Sequence, residues 1–221
     1  DDPHIVWQED GDILENGNTD QDIYYRSIIG GVMTDYVLLT NVYNDNFYRG
    51  DSVGPDIAIN PDDVVYVAWR DETIAFGAGP DSDIFLHTLS NGQIREDGQD
   101  TYHYFNGSDF DSDNPVLVLL DCGGVLLTWA EKNAEGNSDI AYIRLYDVSG
   151  LPPSLTETDP QNIQCGADKE VGMQITSVTG GTSSSPAVAV SSSGTIHLAW
   201  HDDATLDPMT DAEHSAEGPD D

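Results

Sequence analysis

The sequence predicts an all-β protein built from repeated units of four antiparallel strands, and three observations predict it. A pattern of apolar run, polar turn and second apolar run ending in tryptophan occurs at residues 54–71, 114–131 and 185–202, and its second half alone occurs at 4–10. The tryptophans are 62, 60 and 71 residues apart, at Trp7, Trp69, Trp129 and Trp200, and such recurrence is typical of repeated supersecondary units. No segment longer than ten residues shows a helical period.

Each unit begins with a strand, strand A, predicted at residues 56–60, 116–120 and 187–190. Its unbroken run of small and β-branched residues is typical of a strand that is buried on both faces. A proline precedes each run, at Pro55, Pro115 and Pro186. Because proline costs no ladder hydrogen bond at the first residue of a strand, we expect these prolines to mark where strand A begins.

The rest of each unit supplies three more strands. A turn rich in Asn, Asp, Ser and Gly leads to strand B, at residues 65–69, 125–129 and 196–200, whose final Trp we expect in the core between units. Strand C opens with an Asp-Ile dipeptide and is predicted at 22–26, 83–87 and 139–143. Strand D is less regular, with candidates at 36–40, 101–105 and 173–178.

Four antiparallel strands that recur about every 60 residues are typical of a β-propeller blade rather than of a β-sandwich. We predict one propeller segment over residues 1–221, with blades at 4–62, 63–122 and 123–193 and a partial blade at 194–221. About three blades cannot close a ring, since propellers have about four to eight. We therefore expect further blades in a longer polypeptide or, as the alternative, chains that associate so that one supplies what another lacks.

This order of proline, apolar run, turn, W-x-D and Asp-Ile resembles the blades of the sialidase-like (neuraminidase-repeat-type) β-propeller superfamily, and the resemblance covers essentially the whole chain. The Asp-box of that family, S-x-D-x-G-x-T-W, has no intact copy, and residues 191–195 are its nearest fragment. The family's chemistry uses three arginines with a Tyr/Glu pair and an Asp. The chain has five arginines, and none of them stands in the Arg-Ile-Pro setting of that family: Arg26, Arg49, Arg70, Arg95 and Arg144. The resemblance therefore implies the fold without the activity.

The charge of the chain is extreme, because 41 acidic residues against 7 Lys plus Arg give a net charge of −34. This balance argues against nucleic acid or an anionic membrane surface as partner and favours cations. Aspartate outnumbers glutamate and clusters in loops, which favours calcium in an extracellular or cell-surface setting, since Ca²⁺ prefers hard oxygen ligands. The cytoplasm of a halophile is the alternative that the composition leaves open.

Two groups of residues are candidate calcium ligands. The first is a D-x-D-x-D-N run that a tight loop could direct at one cation, and its members are Asp109, Asp111, Asp113 and Asn114. The second lies before strand C in successive units and comprises Asn18, Asp20, Asp22, Asp81, Asp83 and Asp139. The alternatives are a solvated acidic turn for the first group and structural aspartates that accept backbone N–H groups for the second.

Cys122 and Cys165 can form at most one internal disulfide and are equally compatible with two free or buried thiols. No apolar run is long enough to span a membrane, so we expect no membrane insertion.

These observations favour a non-enzymatic, secreted or cell-surface β-propeller for structure, adhesion or self-assembly, with an acidic cation-binding surface and no catalytic residues of its own. Its expected partners are further blades or copies of itself, with a glycan or surface protein as a further possibility. The alternative is a carbohydrate-binding protein or sialidase-like glycoside hydrolase whose active site lies on blades outside these residues.

Overall fold

The computed structural model describes residues 2–10, 20–40, 50–61, 63–72, 81–90, 103–106, 110–120, 124–145, 154–156, 173–176 and 181–203. These residues form β-strands, turns and extended segments, so the predicted all-β class is confirmed. A helix of the length and apolarity needed to cross a membrane is not found among them.

The strands of the described chain follow one another as short antiparallel runs. They are β1 (His4–Glu9), β2 (Asp22–Ile29), β3 (Val32–Met33), β4 (Val37–Leu38), β5 (Ser52–Ile59), β6 (Val64–Asp71), β7 (Asp83–Ser90), β8 (His103–Asn106), β9 (Ser112–Leu119), β10 (Val125–Lys132), β11 (Ser138–Leu145), β12 (Ser154–Thr156), β13 (Met173–Gln174), β14 (Ser183–Val190) and β15 (Ile196–Asp202).

The strands assemble into four sheets in chain order. Sheet 1 contains β1, β2, β3 and β4, with β3 and β4 both paired to β2. Sheet 2 is the meander β5-β6-β7-β8, and the short β12 adds to β8 in parallel. Sheet 3 has the order β9-β10-β11-β13, and sheet 4 is the hairpin β14-β15. None of these sheets closes on itself.

The prediction of strands B and C is confirmed, because β6, β10 and β15 cover the predicted B segments and β2, β7 and β11 the predicted C segments. Strand D is shorter than predicted, with β4, β8 and β13 spanning two to four residues each. The sequence prediction did not include β3 or β12. A short strand contributes little periodic signal, which is why strand D was the least regular part of the pattern.

The prediction that the prolines mark the start of strand A is wrong. Strand A starts three residues before each proline, at Ser52, Ser112 and Ser183, so the prolines lie inside β5, β9 and β14. The pairing of each of these strands with its neighbour shifts register at the proline, and a β-bulge is one of the few places in a sheet where proline is tolerated. The residue before each proline has a positive φ, at Gly54, Asn114 and Ser185.

The prediction that strand A is buried on both faces is also wrong, since β5, β9 and β14 each mix buried, half-buried and exposed residues. Each of these strands is the edge of its sheet and is paired on one side only. An edge strand keeps part of its backbone and side-chain surface open, whatever its apolar content.

Two hydrophobic cores lie between successive sheets, and sheet 2 contributes to both. Its Val65, Val67 and Trp69 pack with residues of sheet 1, whereas Tyr66 and Ala68 pack with residues of sheet 3. Because side chains alternate between the two faces of a strand, neighbouring residues of β6 serve opposite cores. The sheets are therefore stacked face to face in chain order.

Candidate functional site

At the end of strand B, the recurring Trp and the acidic residue two positions later are joined through a shared hydrogen-bond acceptor. Trp69 Nε1 donates to Asp71 Oδ2 at 2.8 Å, and Ser52 Oγ donates to the same oxygen at 2.7 Å. Trp69, Asp71 and Ser52 are all buried. A buried carboxylate is costly unless its oxygens accept hydrogen bonds, so this serine and tryptophan stabilise the acid that joins strands A and B.

The same arrangement recurs in the next sheet. Trp129 Nε1 donates to Glu131 Oε2 at 2.8 Å, and Ser112 Oγ donates to that oxygen as well. In sheet 4, Ser183 Oγ donates to Asp202 Oδ2 at 3.0 Å. We call the group formed by Trp69, Asp71 and Ser52, and its equivalent in sheet 3, the Trp–acid–Ser lock. The acidic residue that follows each Trp thus has a structural partner in three successive sheets.

A second recurring contact joins strands C and D. Thr40 Oγ1 donates to Asp22 Oδ1 at 2.7 Å and accepts the amide proton of Ile23 at 3.2 Å. In sheet 3, Thr176 Oγ1 donates to Asp139 Oδ1 at 3.0 Å and accepts the amide proton of Ile140 at 2.9 Å. The Asp-Ile dipeptide therefore marks the place where a threonine hydroxyl fixes strand D to strand C.

The environment of Asp22 is unfavourable for a negative charge. Burial raises the pKa of Asp22 above its ordinary value of 3.8, the hydrogen bond from Thr40 acts in the opposite direction, and the carboxylates of Asp20 and Asp71 raise the pKa further. Three acidic groups of sheets 1 and 2 thus repel one another at this point, and a cation in their vicinity would relieve that repulsion.

Aspartates that precede strand A join one sheet to the next. Gln21 N donates to Asp51 Oδ1 at 3.0 Å, and Ser52 N donates back to Gln21 O at 2.8 Å. One unit later, Ser82 N donates to Asp111 Oδ1 at 3.2 Å, and Ser112 N donates to Ser82 O at 2.6 Å. Asp111 therefore clamps the start of sheet 3 onto sheet 2.

A polar cavity of about 170 Å³ lies beside this clamp. Arg70 and Lys132, two of the seven basic residues of the chain, both line it. Lys132 Nζ is 2.5 Å from Asp111 Oδ2, and Arg70 Nη2 is 2.5 Å from Glu72 Oε1. Hydrogen bonds from the Lys132 ammonium and the Ser82 amide lower the pKa of Asp111 below 3.8. The cavity offers paired charges and hydroxyl groups, which suit hydrogen bonding to a polar ligand.

The described members of the first candidate calcium group lie at this cavity. Asp111 directly precedes β9, while Asp113 and Asn114 lie within it at the bulge, so this part of the run is the start of a strand rather than the expected tight loop. Asp113 Oδ1 accepts the Asn114 amide at 2.8 Å. A calcium ion bound to Asp111 would have to compete with Lys132, so the donor set fits calcium poorly here.

The described members of the second group are distributed over three sheets. Asp20 and Asp22 belong to sheet 1, Asp81 and Asp83 to sheet 2, and Asp139 to sheet 3. Within the described residues, no three His, Cys, Asp or Glu side chains are grouped so that they could hold a metal ion. Asp22 and Asp139 accept threonine hydroxyls, which is a structural role, with a side-chain donor in place of the backbone N–H groups that the structural alternative expects. Asn18, Asp109, Cys122 and Cys165 lie outside the described residues, and calcium binding and the disulfide remain predictions.

Sequence reasoning missed the serine of the lock and the threonines of strand D. The serine was visible in the sequence as a recurring S-x-x-P, at Ser52, Ser112 and Ser183, three residues before each proline. Thr40 and Thr176 stand at no fixed distance from the other repeated residues, because the loops between strands C and D differ in length. Only the pairing of the strands brings them to equivalent places.

No protein-family model and no curated protein sequence matches the chain. The resemblance to sialidase-like propellers therefore stays an expectation that the repeated pattern carries.

Proposed function

We propose that this chain is a non-enzymatic, secreted or cell-surface β-propeller module that serves structure, adhesion or self-assembly. The proposal rests on the hydrogen bonds that the repeated polar residues make. Asp71 and Glu131 accept hydrogen bonds from a tryptophan and a serine of their own sheet. Asp22 and Asp139, of the Asp-Ile dipeptides of sheets 1 and 3, accept from a threonine. Repeated residues thus stabilise the units in which they lie, which is the pattern of a structural repeat.

The stacking of the sheets supports the propeller assignment. Sheets 1, 2 and 3 are stacked in chain order, with one hydrophobic core between sheets 1 and 2 and another between sheets 2 and 3. The strand A edges also contact each other, as Leu117 N of β9 donates to Asp56 Oδ2 of β5 at 2.7 Å. In a β-propeller, four-stranded sheets are arranged around a central channel, and the stacking of the sheets and this strand A contact fit such an arrangement.

The extracellular setting is supported by the balance of charge. A net charge of −34 opposes compaction, and the repulsion among Asp20, Asp22 and Asp71 is a local instance of it. Millimolar divalent cations outside the cell would screen or bind these groups. We include calcium in the proposal for this reason, with Asp20 and Asp22 as a better location than the Lys132-paired Asp111, although no three acidic side chains of the described residues form a group that could hold the ion alone.

Thermal unfolding in CaCl2 and in NaCl of equal ionic strength tests the cation proposal. A ligand that binds only the folded state raises the melting temperature, so calcium should raise it beyond the matched NaCl solution. Asp20→Asn should reduce that difference, and Asp113→Asn should leave it unchanged. Equal melting temperatures in the two salts would reduce the role of cations to screening and would contradict calcium binding.

The assembly function is tested by sedimentation velocity of the wild-type chain over a range of protein and salt concentrations, together with binding to a panel of sialylated and neutral glycans. We expect self-association that strengthens with salt. Saturable glycan binding by a chain that stays monomeric would favour the carbohydrate-binding alternative instead.

A further inference from the structure

Two sheet faces of opposite kind are uncovered at the two ends of the stack. On sheet 1, the face turned away from sheet 2 carries Ile5 and Trp7, with Trp7 stacked on Tyr24 at a centroid distance of 5.6 Å. We call it the Trp face of sheet 1. Ile5 on this face is 42% exposed. An exposed large aliphatic side chain beside aromatic residues indicates a surface that can be covered.

On sheet 4, the face turned away from sheet 3 carries small and polar residues, and we call it the open face of sheet 4. Exposure alternates over residues 187–190 of β14 and 196–199 of β15, whereas residues 199–202 are all exposed. Successive residues of a strand point to opposite faces. The exposed set on the open face is Ala187, Ala189, His197, Ala199 and His201.

An equivalent pair of faces is already in contact inside the molecule. Between sheets 2 and 3, the Trp face of sheet 3, with Leu127 and Trp129, packs on a face of sheet 2 that presents Ala58 and Ala68. The larger side chains on that face of sheet 2 are Tyr66, Ile84 and Leu86. The repeat aligns those alanines with Ala189 and Ala199 of sheet 4. Likewise, Trp129 aligns with Trp7 of sheet 1. Small side chains under an indole allow the close approach that dense packing requires.

We propose that the open face of sheet 4 binds the Trp face of sheet 1 of a second copy of this chain, so that copies join head to tail. This interface rests on the proposed assembly function and specifies the surfaces that would carry it. A second copy is the occupant because one chain presents both faces of the pair that is in contact between sheets 2 and 3. The contact is heterologous, so repeated addition gives a ring if the rotation closes and a filament if it does not.

Charge and size determine the conditions under which the contact forms. Each copy carries a net charge of −34, and repulsion between copies is screened within about 3 Å only near 1 M salt. The open face has two strands, β14 and β15, where the internal faces have four. A patch smaller than a standard interface of about 800 Å² per partner binds weakly, so we expect association at protein concentrations of about 0.1 to 1 mM in 1 M NaCl.

Sedimentation velocity with two single variants tests the interface. Ile5→Arg places a guanidinium on the Trp face, and Ala199→Arg places one on the open face, and both positions are exposed so the fold should tolerate them. We expect the wild type to form oligomers and each variant alone to stay monomeric. An equimolar mixture of the two variants should form a dimer and nothing larger, because each variant retains one intact face of the pair.

Ile175→Arg is the matched control, because Ile175 is 40% exposed but belongs to sheet 3 and to neither face. It should associate as the wild type does, and circular dichroism should show the same strand content for all variants. Variants that associate like the wild type, or a mixture that stays monomeric, would overturn this interface while leaving assembly through another surface intact. A wild type that stays monomeric at 1 mM in 1 M NaCl would overturn both the interface and self-assembly.

Discussion

The indole of Trp69 and the carboxylate of Asp71 are joined by a hydrogen bond of 2.8 Å between Nε1 and Oδ2, and both residues are buried. Residues two apart on a strand share a face, so the W-x-D spacing is what lets the acid reach its own tryptophan. The Ser52 hydroxyl, on the neighbouring strand β5, donates a second hydrogen bond to the same oxygen. The motif thereby fixes the hairpin of strands A and B in sheets 2 and 3, and its Ser–acid contact recurs in sheet 4.

Removal of the Asp71 carboxylate should lower the free energy of unfolding considerably. Asp71→Ala leaves the Trp69 N–H and the Ser52 hydroxyl without their shared acceptor, and each unsatisfied buried group costs about 1–3 kcal/mol. We expect the free energy of unfolding to fall by about 3 kcal/mol, as measured by urea denaturation followed by tryptophan fluorescence. Glu72→Ala is the control, because Glu72 is exposed and pairs only with Arg70 in a surface contact. Comparable losses in the two variants would refute the lock.

Equivalent tryptophans should differ in their contribution to stability. Trp129 is 4% exposed in the core between sheets 2 and 3, whereas Trp200 is 40% exposed. Trp129→Ala should cost about 3–5 kcal/mol, the usual loss for a buried tryptophan, and Trp200→Ala less than half of that. Urea midpoints with unchanged m-values would measure both. Should the two variants lose equal stability, Trp200 would be as well packed as Trp129.

The stability of the protein should depend on how well the residue before each proline tolerates a positive φ. Gly54 has φ +61° and Ser185 has φ +51°, a region that costs a residue with a Cβ about 1 kcal/mol or more. An ideal Cβ on Gly54 meets nothing within 4 Å, so Gly54→Ala should lose about 1 kcal/mol through the backbone alone.

Ser185→Gly should gain a comparable amount, because glycine adopts the positive φ without strain. Ser184→Gly is its control, since Ser184 has no positive φ and glycine there only adds freedom to the unfolded chain. Thermal unfolding of all three variants checks the signs. Stabilisation by both serine substitutions, or by neither, would count against the role of the bulge conformation.

The charge on Asp22 should reduce stability near neutral pH. Its pKa is raised in the folded state, mainly by burial, so the folded form loses stability as the pH rises through that pKa, and the cost vanishes below the ordinary value of 3.8. Asp22→Asn should therefore raise the melting temperature at pH 7, and the gain should shrink as the pH approaches 3.8. A lower melting temperature at pH 7 would mean that the hydrogen bond from Thr40 outweighs the repulsion.

Much of the strand pattern could be predicted because it is local. Strands B and C alternate in hydrophobicity and carry fixed markers, namely the Trp and the Asp-Ile dipeptide, and their bounds agree with the structure to within a few residues. The start of strand A was predicted four residues too late, because Pro55 and its equivalents look like a boundary in sequence and lie at a bulge in the sheet. A bulge depends on the partner strand, which local sequence does not reveal.

The sequence by itself determined that this protein is all-β and built of repeats, because period-two hydrophobicity and the spacing of four tryptophans are properties of the chain order. Only the tertiary structure decided what the acidic residues do. Asp71 accepts from Trp69 and Ser52, Asp22 from Thr40, and Asp111 from Ser82 and Lys132. Hydrogen bonds depend on distance and direction between strands that are far apart in the chain, and composition carries no information on either.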